Sequence, residues 1–285
     1  RPDYNSIVIS QDKIIVVDFR IKIHQLRDGK FLDMLDSDSR PCAICPMDAT
    51  TICVLYDNGL LETASIKSEN VSPVFKKLKS LCLRGVFEQY HSVVKVNDNI
   101  VVVGVKQGTT YWCITSLDDG HVKIHQICKK SRWSSVTTKD NIIYISCYDA
   151  AYDGSETGVY AFDILNPNQC QYEYKHQRLQ IPTSIVVDKD GNVFVGNYGY
   201  HDNFCIHQLT SSCQPVAIWT QAIPWYLQGM FWDNGRLYVT RFGSRDITVL
   251  SHVYQGSHKD SEVLASNDIT LYGIVESAIQ LSQES

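Results

Sequence analysis

The sequence predicts an all-β fold, a β-propeller of six four-stranded antiparallel blades. Three observations lead there. Short runs rich in Val, Ile and Tyr begin at Ile14, Ile52, Ile100, Ile142, Val193 and Leu237, each after an apolar stretch and a turn bearing Asp, Asn or Gly. Their spacings are 38, 48, 42, 51 and 44 residues, and self-similarity at such a period marks a solenoid or a propeller. The repeated unit holds only strand-like runs, which favours propeller blades.

The units follow one another along the chain and start near Pro2, Pro41, Tyr90, Trp133, Ile181 and Tyr226. The first turns of the other five units carry Asp12, Asp48, Asp98, Asp140 and Asp233, two to four residues before the second strand. Asp suits these places because its carboxylate bonds to nearby backbone amides, so turn chemistry explains the acids without a metal ring. The fifth unit is the clearest. Pro182 ends the preceding segment, Ser184 to Val187 form an inner strand, Asp190-Gly191 marks the hairpin, and Val193 to Gly196 and Phe204 to Leu209 form the next two strands. Ile23-His24-Gln25-Leu26, Ile124-His125-Gln126-Ile127 and Ile206-His207-Gln208-Leu209 are near copies and read as third strands. Their histidines belong to different blades and read as scaffold rather than a metal cluster. The segment from Ile269 to Ser277 resembles the opening Tyr4 to Ser10. It is expected either to close the ring against the first blade or to begin a truncated seventh, so a seven-bladed ring is the alternative.

The repeats run nearly end to end, which makes residues 1–285 a single propeller domain. Hydrophobic residues are 44 % and charged residues 20 % of the chain, ordinary values for a globular protein. The net charge of -5 argues against a surface that attracts nucleic acid throughout. The longest strongly apolar run, Ile100 to Val105, is too short to span a bilayer, and no membrane association is expected. The chain opens with Arg1-Pro2 and shows no signal peptide, so it is expected to be the C-terminal part of a longer protein. Ten cysteines are present, several in strand-like runs, where Cys behaves as a small buried hydrophobe. Cys42-x-x-Cys45 has half the spacing of a zinc site, but no second pair follows. Reduced core thiols point to a cytoplasmic location, and no metal or other cofactor is expected.

The unit from Ile181 to Asn197 resembles the NHL repeat, with its Pro-led inner strand, Asp-x-x-Gly turn and second strand ending in Asp or Asn. The unit from Pro2 to Leu26 fits more loosely, and the other four keep the spacing but few signature letters. The resemblance implies a six-bladed ring of the kind found at the C-terminus of tripartite-motif ubiquitin ligases, where it recruits a protein or an RNA. The chain has no RING or B-box Cys/His pattern, so ligase activity would lie in flanking domains.

Propellers bind ligands in the channel or on the face made by between-blade and second-to-third-strand loops. Arg40, Arg84, Arg132 and Arg178 lie close to inner-strand starts, and Lys76, Lys77, Lys79, Lys129, Lys130 and Lys175 join the same sector. Tyr90, Trp133, Trp225, Tyr226 and Tyr272 sit at inner-strand starts, and Tyr56, Tyr148, Tyr198, Tyr200 and Phe242 at second-strand ends. Together with Tyr152, in an acidic insertion from Tyr148 to Gly158, these residues form the candidate ligand-binding face. Arg beside exposed rings suits a protein hot spot, and equally suits stacked single-stranded bases. The first reading is a non-catalytic platform that recruits an acidic or phosphorylated protein segment. The alternative is a single-stranded RNA reader. A metal-dependent lactonase-like enzyme is the weakest reading, because the inner strands hold few carboxylates and no nucleophile motif is present.

Overall fold

A computed structural model describes residues 6–10, 13–17, 20–27, 30–35, 37–69, 72–128, 133–149, 155–199, 204–219, 227–241, 246–251, 270–271 and 274–280. Blade 1 comprises β1 (Ser6–Ser10), β2 (Lys13–Val17), β3 (Ile21–Gln25) and β4 (Phe31–Leu35). Blade 2 comprises β5 (Pro41–Pro46), β6 (Thr51–Tyr56), β7 (Leu60–Glu69) and β8 (Ser72–Cys82). Blade 3 comprises β9 (Gln89–Val96), β10 (Asn99–Lys106), β11 (Thr109–Thr115) and β12 (Val122–Cys128). Blade 4 comprises β13 (Trp133–Lys139), β14 (Ile142–Tyr148), β15 (Gly158–Asp163) and β16 (Asn166–Tyr174). Blade 5 comprises β17 (Ile181–Val187), β18 (Val193–Tyr198), β19 (Cys205–Leu209) and β20 (Pro215–Trp219), and β24 (Thr270–Leu271) adds to its outer edge. Blade 6 comprises β21 (Leu227–Asp233), β22 (Arg236–Arg241), β23 (Asp246–Ser251) and β25 (Ile274–Gln280). This is the expected six-bladed propeller of four-stranded antiparallel blades.

Each blade buries both faces. Alternate residues of a strand point to opposite sides, so a fully apolar strand serves two interfaces at once. In blade 1, Val8, Ile15 and Val17 pack with Ile44, Ile52 and Val54 of blade 2. Their neighbours Ile7, Ile9, Ile14 and Val16 pack with Tyr238, Ile247 and Val249 of blade 6. Clusters of the same kind fill the interfaces of blades 2 and 3, 3 and 4, 4 and 5, and 5 and 6. The ring therefore closes by packing blade 6 on blade 1, with β1 lying against β21. Three serines add polar ties between inner strands. The Oγ atoms of Ser6, Ser92 and Ser184 accept from the N–H groups of Ile44, Val136 and Met230 at 3.4, 3.2 and 3.1 Å. These ties join blades 1 to 2, 3 to 4 and 5 to 6.

Turn chemistry sets the hairpins. Asn234-Gly235, with φ of 47° and 79°, links β21 to β22 as a two-residue loop, and Gln107-Gly108, with φ of 52° and 71°, links β10 to β11. Positive φ at both positions marks the turn whose twist matches antiparallel strands. Asp188 is buried, and its carboxylate accepts from Asp190 N, Asn192 N and Asn192 Nδ2 at 2.9, 2.8 and 2.7 Å. Its place as a turn residue is thus fully accounted for.

Two expectations are corrected. The C-terminal segment neither closes the ring against blade 1 nor begins a seventh blade. Its β25 pairs antiparallel with β23 as the outer strand of blade 6, and Thr270-Leu271 pairs in parallel with Ile218-Trp219 of blade 5. Similarity of letters to Tyr4–Ser10 misled because any exposed edge accepts a β-prone segment. The histidine-bearing copies are also not equivalent. Ile124 to Ile127 lies in β12, the outer strand of blade 3, whereas His24 and His207 lie in third strands. The Gln107-Gly108 turn inserts β11 before it.

Candidate functional site

Strand direction alternates within a blade, so connectors between blades and loops between second and third strands gather at one end. The registers show it directly. Pro41 stands opposite Tyr56, Trp133 opposite Tyr148, and Ile181 opposite Tyr198. Arg40 immediately precedes β5, Arg84 lies in the connector to β9, and Arg178 lies in the connector to β17. These three guanidinium-bearing residues therefore share the loop end of the ring. Arg132, Tyr152, Tyr200, Trp225, Tyr226 and Phe242 lie outside the described residues, as do Tyr272, Lys129 and Lys130, and of Trp133 only the backbone is described.

The connector bearing Arg178 is held firmly. Asn197 is buried at the end of β18. Its Oδ1 accepts from Gln180 N and Ile181 N at 2.8 and 3.0 Å, and its Nδ2 donates to the Arg178 carbonyl at 2.7 Å. The residue next to the end of β18 thus clamps the segment that presents an arginine.

The rings and lysines do not all join this surface. Tyr56 and Tyr90 are buried. The Tyr90 hydroxyl donates to the Leu83 carbonyl and accepts from Phe87 N, which fixes the connector between blades 2 and 3. Tyr148 and Tyr198 are half-buried, and Tyr198 leans on Phe204 at a centroid separation of 5.2 Å. Lys76, Lys77 and Lys79 lie along β8 at the outer rim of blade 2, not on the loop end. Lys77 pairs with Glu62, and Lys79 with Asp118. Lys175 pairs with Glu173 at 2.7 Å. The basic sector contracts accordingly to the arginines of the connectors. The described ends of the acidic insertion, 148–149 and 155–158, are also less exposed than their letters suggest. Asp149 is buried beside Thr157, whose Oγ1 accepts from the Asp149 N–H at 3.0 Å. Burial of that carboxyl follows from its position one residue beyond a core strand.

The central channel is the second feature of this end. A cavity of about 550 Å³ is lined by the inner strands of all six blades, with Arg40 and Asp57 among its lining residues. In four blades the pairing of first and second strands skips one residue, which is Cys42 in blade 2, His91 in blade 3, Thr183 in blade 5 and Gln228 in blade 6. A bulge of this kind leaves one residue unpaired and re-aims its side chain. All four line the cavity, and so does Ser134 of blade 4. Cys42 Sγ donates to the Leu55 carbonyl at 3.3 Å, Thr183 Oγ1 to the Gly196 carbonyl at 3.3 Å, and His91 Nδ1 lies 3.0 Å from Ser134 Oγ. Gln228 Oε1 is buried and has no hydrogen-bond partner among the described residues. Burial, with the Asp57 charge adding to it, pushes the Cys42 thiol up to about 12, and burial pushes the His91 imidazole down to about 4. Both are neutral near pH 7. The sequence offered one signal for this ring. Tyr90-His91-Ser92, Pro182-Thr183-Ser184 and Leu227-Gln228-Gly229 each break the apolar alternation near the start of an inner strand.

Among the described residues, no group of three or more His, Cys, Asp or Glu side chains is placed to hold a metal. No helix of the described residues is long and apolar enough to cross a membrane.

No protein-family model matches the sequence, and no curated protein sequence matches it. Solved structures show the same fold at low identity. Hydrazine synthase of Kuenenia stuttgartiensis aligns with a TM-score of 0.65 and 10 % identity over 88 % of this chain and 77 % of that one. The nidogen/laminin complex gives 0.55 and 12 % over 73 % and 75 %. Hsv2p of Kluyveromyces lactis gives 0.54 and 10 % over 99 % and 88 %.

Proposed function

We propose that this propeller is a non-catalytic platform that recruits a protein partner through its loop end, with Arg40, Arg84 and Arg178 taking an acidic or phosphorylated segment. The observation that carries this reading is the shared placement of the three arginines. Each stands on a connector at one end of the ring, whereas Lys77 and Lys79 lie at the outer rim beside acids. A guanidinium binds carboxylate or phosphate through two parallel hydrogen bonds, which gives both strength and geometry. Service as the substrate-recruiting part of a cytoplasmic ubiquitin ligase, with the catalytic domain elsewhere in a longer protein, fits such a platform.

An RNA reader would need rings open to stacking bases. The described rings at this end are buried or half-buried, which favours a protein segment. For catalysis, Cys205 and His207 are in contact near this end, and both are buried. Burial pushes the thiol up and the imidazole down to about 3, so neither group carries the charge that a nucleophilic pair needs.

The test is a screen of the whole chain against immobilised acidic and phosphorylated peptides, repeated with the triple variant Arg40→Ala/Arg84→Ala/Arg178→Ala. Selective capture by the native chain and its loss in the variant support the reading. Capture that survives the variant, or none beyond neutral peptides, overturns it.

A further inference from the structure

The channel offers a site of a different chemical character from the arginine-bearing end. At one level of it, polar groups from five blades stand around the axis rather than on one wall. They are the thiol of Cys42, the imidazole of His91, the hydroxyls of Ser134 and Thr183 and the amide of Gln228. Four of the five are delivered by the same device, a one-residue skip at the same level of the inner strand. A bulge repeated in four blades at one level is an arrangement, since bulges interrupt the ladder and re-aim a side chain where a site needs it. Gln228 Oε1, buried among the described residues without a donor, is the acceptor of this ring that the fold leaves open. A buried amide oxygen without a donor keeps the cost of its lost hydration, so a ligand that supplies a donor recovers that penalty.

The ligand class follows from charge, shape and hydrogen-bond type. With Cys42 and His91 neutral, no member of the ring is charged near pH 7. Arg40 and Asp57 line the same cavity with opposite signs. An ionic ligand would lose its hydration for no net countercharge. A flat heterocycle would need a ring to stack on, but Tyr90 is buried with its hydroxyl committed to the Leu83 carbonyl, and the Phe231 ring packs against the apolar clusters on both faces of blade 1. A chain-like apolar ligand would leave the polar ring unsatisfied. The remaining shape is a compact, saturated molecule with groups that both donate and accept around its whole circumference. The cavity volume of about 550 Å³ lies within the usual range for small-molecule sites. We propose that the channel binds an uncharged cyclic polyol, of the monosaccharide or inositol class, within the ring of Cys42, His91, Ser134, Thr183 and Gln228. One ligand hydroxyl donates to Gln228 Oε1. The aliphatic side chains of Ile44, Val93, Val136, Ile185 and Met230, which line the same cavity, meet its C–H edges.

The experiment titrates the whole chain with glucose, galactose, mannose and myo-inositol, using calorimetry and ligand-observed saturation-transfer NMR. Acyclic sorbitol and glucose 6-phosphate serve as controls, because osmolytes raise stability without binding. The expected result is saturable binding of at least one neutral ring at millimolar or tighter affinity, with both controls weaker. Gln228→Leu and the near-isosteric Thr183→Val should each weaken binding by about tenfold, the cost of one unmatched hydrogen bond. Arg84→Ala should leave it unchanged. Absence of saturation with every ring overturns the proposal. Equal or tighter binding of sorbitol or the phosphate overturns the ligand class, and unchanged affinity in both channel variants overturns the site. Should a variant not fold, saturation in the native chain alone decides the first two outcomes. Movement of His91 ring resonances on saturation then decides the third.

Discussion

The hydroxyl of Tyr174, at the end of the outer strand of blade 4, lies 2.8 Å from Nδ1 of His207 in the third strand of blade 5. The other ring nitrogen, Nε2, lies 3.3 Å from Cys205 Sγ, and Asn197 Nδ2 donates to the same sulfur at 3.4 Å. With Tyr174 donating to Nδ1, Nε2 carries the proton and donates to sulfur, so both nitrogens are matched in one neutral tautomer. This buried chain ties two blades together and reaches, through Asn197, the connector that presents Arg178.

A fixed neutral histidine makes stability depend on pH. Burial, aided by electrostatic repulsion from neighbouring His176 and Arg178, lowers His207 from 6.5 to about 3. Between those values the unfolded chain binds a proton that the folded chain refuses. Stability is therefore complete above pH 6.5 and falls as pH drops toward 3. For His207 the loss between pH 7 and 5 is roughly 2 kcal/mol, and His91 adds a smaller loss of the same sign because it is partly exposed. Denaturant unfolding at both pH values measures this. His207→Gln, which does not titrate, should flatten the profile, and an unchanged slope would assign the pH dependence to other groups.

Thiol labelling should divide the cysteines by burial. Cys82 and Cys170 are exposed, whereas Cys45, Cys53, Cys113, Cys147, Cys205 and Cys213 are buried. Burial holds Cys113 and Cys213 up at about 12, and a hydrogen bond with the neighbouring Cys45 thiol, together with burial, raises Cys53 well above its ordinary value. The thiolate is the reactive form. Iodoacetamide on the native chain should modify Cys82 and Cys170 first, and the buried set only after unfolding, as read by peptide mass spectrometry. Early modification of Cys205 would contradict the neutral Cys–His pairing.

The second strands were readable because their signals are local. Val193 was placed at its observed start, and the runs from Ile14, Ile52, Ile100 and Leu237 begin one residue inside β2, β6, β10 and β22. Alternating apolar letters and a turn acid are enough for that. The pairing of β25 with β23 was not readable, since 252–273 separate the two strands and register across such a gap depends on the assembled edge. The loop-end position of Arg40, Arg84 and Arg178 followed from strand order alone. The withdrawal of Lys77 and Lys79 did not, because Glu62 and Asp118 meet them across strands and blades rather than along the chain. The channel ring escaped for a related reason. A skipped residue is a property of two paired strands, and one strand's letters only hint at it.

Two strand glycines should respond differently to Ala. A Cβ at Gly104 would come within 2.5 Å of the Gln89 carbonyl oxygen and 2.6 Å of the Phe87 ring. A Cβ at Gly196 would meet mainly the methyl ends of Leu227, at 2.5 and 3.1 Å. A leucine tip rotates away more readily than a paired strand carbonyl and a packed ring. Overpacking of a core costs about 1–3 kcal/mol, so Gly104→Ala should fall at or above the top of that range and Gly196→Ala near its bottom. Melting temperatures in the same buffer settle the order, and a reversed order would mean that β9 yields more easily than β21.

Asp188→Ala should destabilise the chain without altering partner binding. The substitution leaves Asp190 N, Asn192 N and Asn192 Nδ2 without their shared acceptor in a partly buried turn. Each unsatisfied buried donor costs about 1–3 kcal/mol, though water reaches part of this turn, so a total of roughly 2–4 kcal/mol is expected. The turn between β17 and β18 lies at the end of the blade away from the arginines, because the two strands run antiparallel from the Ile181–Tyr198 pair. Denaturant midpoints should therefore fall while peptide capture by the folded variant stays the same. Lost capture would tie this turn to the binding end.

Salt dependence should separate a protein partner from RNA at the loop end. An RNA strand bound through phosphates releases condensed counterions, and its affinity falls steeply as salt rises from about 50 to 200 mM. A peptide held by two or three arginines and an apolar contact loses far less over that range, because few charges are neutralised and the apolar part is insensitive to salt. The guanidinium groups described at this end are few, Arg40, Arg84 and Arg178 on the connectors and Arg20 on the loop between β2 and β3, and the half-buried rings of Tyr148 and Tyr198 give few stacking surfaces. The expected outcome is weak binding of a fluorescent single-stranded RNA pool at the lower salt. Acidic-peptide binding should weaken by less than about tenfold at the higher salt and should be lost in the triple arginine variant. Tight RNA binding with a steep slope, lost in the same variant, would reverse the assignment, since the same arginines would then be reading phosphates of a nucleic acid.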